Sequence, residues 1–85
     1  MLILKVGFDE FNFDQQYIGN NYIVGNIKGH LNYDLNFNNC ILMSNEVIAA
    51  TGKLTLTSYI KDNTYVMICG NVNKEAMIQK ECENF

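Results

Sequence analysis

From Tyr22 to Phe37 the chain alternates. Ile23, Gly25, Ile27, Gly29, Leu31, Tyr33, Leu35 and Phe37 are apolar or glycine, and Asn26, Lys28, His30, Asn32, Asp34 and Asn36 fall between them. A period of two marks a strand with one dry and one wet face. Strands average about 5–6 residues, so a run this long is expected to fold back on itself. Asn26-Ile27-Lys28-Gly29 supplies the turn chemistry for that. The unbroken parity favours a bulged, three-residue connection, so the pattern predicts a hairpin of Tyr22–Asn26 against His30–Phe37.

The same reading extends to the rest of the chain. Leu2, Leu4, Val6 and Phe8 share one parity and predict a first strand with a defined core face. Residues 9–21 mix acids, amides and aromatics before Gly19-Asn20-Asn21, and read as a loop with room for one short strand or helical turn. Cys40–Met43 reads as a short strand after an Asn38-Asn39 turn. In Ser44 to Gly52 a possible Ser cap, an early Glu46 and a final Gly predict a short helix. Lys53–Ile60 alternates, Lys61-Asp62-Asn63-Thr64 is a tight turn, and the apolar run Tyr65–Cys69 predicts a central strand buried on both faces. Asn73 is placed to cap a helix from Lys74 to about Glu83, whose Ile78, Cys82 and Phe85 would lie on the sheet. A faint echo between Asn21-Tyr22-Ile23-Val24 and Asn63-Thr64-Tyr65-Val66 reads as shared hairpin chemistry and not as duplication.

These elements predict an α+β fold: residues 1–85 as one globular domain, with a small twisted antiparallel sheet of five or six strands and one C-terminal helix packed on it. A half-open barrel is the alternative, because consecutive tight hairpins curl a sheet.

Composition narrows the function classes. The chain has 85 residues, a formal charge of −3 and six lysines with no arginine. It therefore lacks the planar fork that most often reads guanine edges and clamps phosphate, which argues against direct nucleic-acid binding. No apolar run reaches the roughly 18 residues needed to cross a bilayer, and the early Lys5 does not suit a secretory signal. A cytoplasmic protein without a membrane partner is expected. Cys40, Cys69 and Cys82 are odd in number and carry no Cys-x-x-Cys spacing, so they read as reduced thiols in or near the core, and neither a disulfide framework nor a metal site is expected. Many Asn and Ile with no Pro or Trp suggest an AT-rich genome, such as that of a low-GC bacterium or its phages.

Catalytic chemistry finds little support. His30, with Asp34 on the same face, lacks a nucleophile tied to it and reads as a solvated imidazole. Cys69, at the end of an apolar strand, reads as an inert packed thiol. No cofactor is implied. Two stretches are candidate partner-binding surfaces: Asp9, Glu10, Phe11, Phe13 and Asp14, and the acidic helix end with Glu81 and Glu83. Pointing outward, Phe11 and Phe13 would be anchors rimmed by negative charge, suited to a basic groove. Pointing inward they would close the open end of the core, and a domain this small needs its aromatics there.

The function expected from this is a non-enzymatic protein-binding module, monomer or homodimer. In its narrower form it is a phage or mobile-element accessory inhibitor, anti-CRISPR-like, that blocks a basic surface on a host nucleic-acid-handling protein. Two other classes stand beside it. One is a structural subunit that self-assembles through the edge of Leu2–Phe8 or Cys40–Met43. The other is an oligomer that sequesters a small ligand or nucleotide between Tyr22, Tyr33, Tyr59 or Tyr65.

Overall fold

A computed structural model describes residues 2–31 and 39–77. Six strands follow one another: β1 (Leu2–Val6), β2 (Asp9–Ile18), β3 (Tyr22–Lys28), β4 (Cys40–Ser44), β5 (Val47–Ile60) and β6 (Asn63–Val72). They lie in the order β1-β2-β3-β6-β5-β4, and β4 returns to pair with β1. All neighbours are antiparallel. The expected α+β class is thereby overturned. The fold is an all-β closed barrel, and the curling foreseen for a half-barrel runs on to full closure.

The predicted central hairpin is absent for the same reason. β3 pairs with β2 along one edge and with β6 along the other, so Tyr22–Asn26 has no edge left for His30–Phe37. Residues 32–38 of that expected partner lie outside the described residues. The parity nevertheless holds within β3, where Ile23, Gly25 and Ile27 face the core. Leu31 joins the core beyond the end of the strand.

Residues 9–18 are strand β2, not a loop. Phe11 and Phe13 point inward opposite Leu4 and Leu2, while Glu10, Asn12 and Asp14 point out opposite Lys5, Ile3 and Asn26. The acids and rings that looked irregular are thus a period of two. Residues 44–52 are not helical either: Asn45 and Glu46, both at positive φ (47° and 69°), form a two-residue hairpin loop between β4 and β5. Consecutive positive φ is the type I′ pattern, whose twist matches that of paired strands. Lys61-Asp62 repeats it between β5 and β6. Phe8, expected on the core face, is instead fully exposed in the Gly7-Phe8 turn.

Of the expected C-terminal helix, residues 74–77 form one turn. Asn73 caps it, its Oδ1 accepting the Ala76 N–H at 3.3 Å, and the Asn73 N–H donates to the Ala49 carbonyl at 2.7 Å. Met77 is buried and Ala76 packs against the core, so this turn covers the barrel end where β6 leaves instead of lying on a sheet face. Ile78, Cys82 and Phe85 lie outside the described residues.

The interior is apolar and filled. Leu4, Val6, Ile23, Ile27, Leu42, Val66 and Ile68 are fully buried, and Thr64, buried among them, donates its hydroxyl to the Gly29 carbonyl. Two three-stranded meanders, β1-β2-β3 and β4-β5-β6, build it. Each contributes its first and last strand to the seam with its counterpart, β1 with β4 and β3 with β6, which is an approximate two-fold. The middle strands bulge at matching places, between Gln15 and Tyr17 in β2 and between Leu56 and Ser58 in β5. In this arrangement Tyr22, which starts β3, corresponds to Asn63, which starts β6. The sequence echo that sets Asn21 against Asn63 is therefore out of step with it.

Candidate functional site

Among the described residues the barrel interior is lined by packed apolar side chains, and the surface open to a partner is its outer face. Following the register across β2, β1, β4 and β5 gives one outward row of Asn12, Ile3, Met43 and Ile48, and a second of Glu10, Lys5, Ile41 and Thr51. The apolar members are neighbours. Ile48 and Ile41 are 50% and 39% exposed, and Ile3 and Met43 are half-buried beside them. A bulge between Leu42 and Met43 brings Met43 opposite Ile48 and tucks Ala49 into the core, so one strand presents both an inner and an outer apolar face.

A shallow groove of about 290 Å3 runs along this surface, lined by Ile3, Lys5, Glu10, Met43, Asn45 and Glu46. The Lys5 ammonium lies 3.5 Å from Glu10 Oε1, both side chains being largely in water. Such a pair contributes little to stability, about 0–1 kcal/mol, but it does fix one edge of the groove. The other edge is the β4–β5 turn with Glu46. A second, smaller groove of about 160 Å3 lies between the ends of β5 and β6, against Ile48, Ala50, Asn71 and Val72.

The residues expected to bind a partner fall into three places. Asp9, Glu10 and Asp14 are exposed on or at the top of β2, but only Glu10 borders the groove. Phe13 is buried and Phe11, partly buried, packs against the core, so neither ring stands out as an anchor for a partner. Glu81 and Glu83 lie outside the described residues. Sequence reasoning missed Ile3, Ile41, Met43 and Ile48. The signal was present: Ile3 has the parity of Lys5, opposite to that of the buried Leu4 and Val6.

The remaining chemistry is dispersed. His30 sits edge-on to Tyr59 with ring centroids 5.0 Å apart, and Asp34 lies outside the described residues. Cys40 is buried, its thiol donating to the Gly52 carbonyl at 3.3 Å, and burial pushes it up to about 11. Cys69 is exposed, contrary to the packed thiol expected, because it points outward opposite Tyr22 and Lys53. Tyr22 stacks on Tyr17 at 5.7 Å, and the hydrogen bond its hydroxyl makes to that neighbour holds the proton and raises its phenol above the usual range. Within one chain Tyr22 lies near one end of the barrel and Tyr59 and Tyr65 toward the other, and Tyr33 lies outside the described residues. Among the described residues no three His, Cys, Asp or Glu side chains come together to hold a metal, and no helix is long and apolar enough to cross a membrane.

Comparison with protein-family models, with curated proteins and with solved structures finds no match for this chain.

Proposed function

We propose that this barrel is a non-enzymatic protein-binding module whose contact surface is the outer face of β1, β4 and β5. The observation that carries the reading is the run of Ile3, Met43 and Ile48 across three adjacent strands, with Ile41 beside it, all facing away from the core. Single exposed apolar residues are ordinary, whereas contiguous apolar surface marks places where something else docks.

Association through a strand edge is a poorer account. β1 and β4, the two edges considered for it, are hydrogen-bonded to each other from Leu2–Ser44 to Val6–Cys40. What remains available is side-chain surface. The narrower role of a phage-encoded inhibitor of a host nucleic-acid-handling protein rests on the acidic, arginine-free composition alone. It is a special case of the same module.

The test compares wild type with Met43→Asp as baits in affinity capture, after circular dichroism has shown that the variant folds. Met43 is half-buried on the outside, so the variant is expected to fold. A partner held by wild type and lost by Met43→Asp supports the reading. Identical captures from both contradict it.

A further inference from the structure

The groove also indicates what kind of segment it takes. Its floor is Ile3 and Met43, apolar and without a charged group of their own. Its rim carries two carboxylates, Glu10 and Glu46, and one ammonium, Lys5, which is engaged with Glu10. Among the described residues Glu46 has no ion-pair partner. The open side of the groove is therefore negative, next to an apolar floor.

We propose that this groove binds a protein segment that sets one apolar side chain on Ile3 and Met43 and a flanking Lys or Arg against Glu46. The inference rests on the docking role given to this face and adds the partner's chemistry. An acidic segment would meet Glu10 and Glu46 with like charge, and a purely apolar one would leave Glu46 without a counterion as water is displaced. A second copy of the chain would bring further carboxylates, since the protein carries −3 overall. A basic and apolar segment satisfies the floor and the rim together.

The experiment is an amide-resolved NMR titration of the full chain with two synthetic peptides, Ac-Gly-Lys-Leu-Lys-Gly-NH2 and Ac-Gly-Glu-Leu-Glu-Gly-NH2, carried to millimolar concentration. The basic peptide is expected to shift the amides of Ile3, Met43 and Glu46 saturably, and the acidic peptide to leave them in place. Glu46→Lys, which keeps a long side chain at the same backbone position, should weaken the basic peptide about three- to fivefold, the scale of an exposed ion pair. It should also admit the acidic peptide. Equal binding of both peptides to wild type overturns the charge preference while leaving the docking face intact. The absence of any saturable shift at these residues overturns the groove and the docking role together. Shifts at the same amides on raising protein concentration without peptide would assign the face to a second copy and overturn the basic segment.

Discussion

In the first meander two rings reach the interior, whereas in the second alanines and glycines stand among the aliphatic core side chains Leu42, Leu54, Val66 and Ile68. Phe11 and Phe13 enter from β2, and the Phe13 ring lies so close over Gly25 that a Cβ there would stand 2.5 Å from its Cζ. Opposite them β5 offers Ala49, Ala50 and Gly52, and Gly52 faces Gly70 of β6 across the sheet. A Cβ on Gly52 would overlap the Cys69 carbonyl oxygen, and one on Gly70 would overlap that of Thr51. Both halves supply aliphatic volume, but only the first adds rings, and only the second lets two backbones approach at a glycine pair, Gly52 and Gly70. Neither half has a buried face without the other.

The largest effect is therefore expected where no side chain can be accommodated. Gly52→Val should cost about 3 kcal/mol or more, since overpacking against a strand backbone cannot be relieved by a rotamer change. Thermal and urea unfolding would register this as a strongly lowered midpoint. Phe13→Ala removes ring volume instead of adding it, and about 3–5 kcal/mol is the usual cost of such a cavity. If Gly52→Val were as stable as wild type, the close approach of β5 and β6 would be wrong. A harmless Phe13→Ala would mean that the ring lies outside.

The hairpin turns extend the comparison at a smaller scale. The first meander turns through Gly7, whose φ of 59° costs a glycine nothing, and the second turns through Asn45 and Glu46 in the same left-handed region. Glu46→Gly, which gives the second half the Asn-Gly pair favoured in such turns, is expected to raise stability by about 0.5–1 kcal/mol after the added flexibility of the unfolded chain is subtracted. A lowered urea midpoint would show that the turn is not left-handed.

The smallest effect concerns pH. Cys40 has an ordinary thiol value of 9.0 when unfolded and about 11 when folded, burial being the cause. Between these values the unfolded chain loses its thiol proton more readily than the folded one. The contribution of Cys40 is therefore fully present below pH 9 and lost as pH rises towards about 11. Cys40→Ala should flatten that decline, and an unchanged slope would place the thiol in water.

How much of this was legible in the sequence depends on what each pattern encoded. Alternation correctly assigned the inward faces of β1 and β3, because a period of two reports burial whatever the neighbouring strand is. It could not report the neighbour itself. Tyr22–Lys28 pairs with strands on either side of it in the barrel, one of them far along the chain. β2 escapes a reading of its acids and rings as composition, because its strand signal is the alternation of Glu10, Asn12 and Asp14 with Phe11 and Phe13. β5 was hidden because Ser44, Glu46 and Gly52 look like helix signals, while their roles are to end a strand, turn a hairpin and permit close strand contact. The candidate surface escaped notice for a related reason. The charged aromatic stretches are continuous in sequence, whereas the exposed apolar row crosses three strands and exists only once β1 and β4 are side by side.

Everything placed on that surface depends on the seam between β1 and β4. The most direct measurement is a set of interstrand nuclear Overhauser contacts at the Ile3–Met43 and Leu4–Leu42 registers, collected with those at Gly25–Val66 in the same sample. The expected result is that both seams give contacts of similar strength, as a closed barrel requires. Contacts at Gly25–Val66 with none between β1 and β4 would describe an open sheet, and would contradict both the closure and the apolar face built on it.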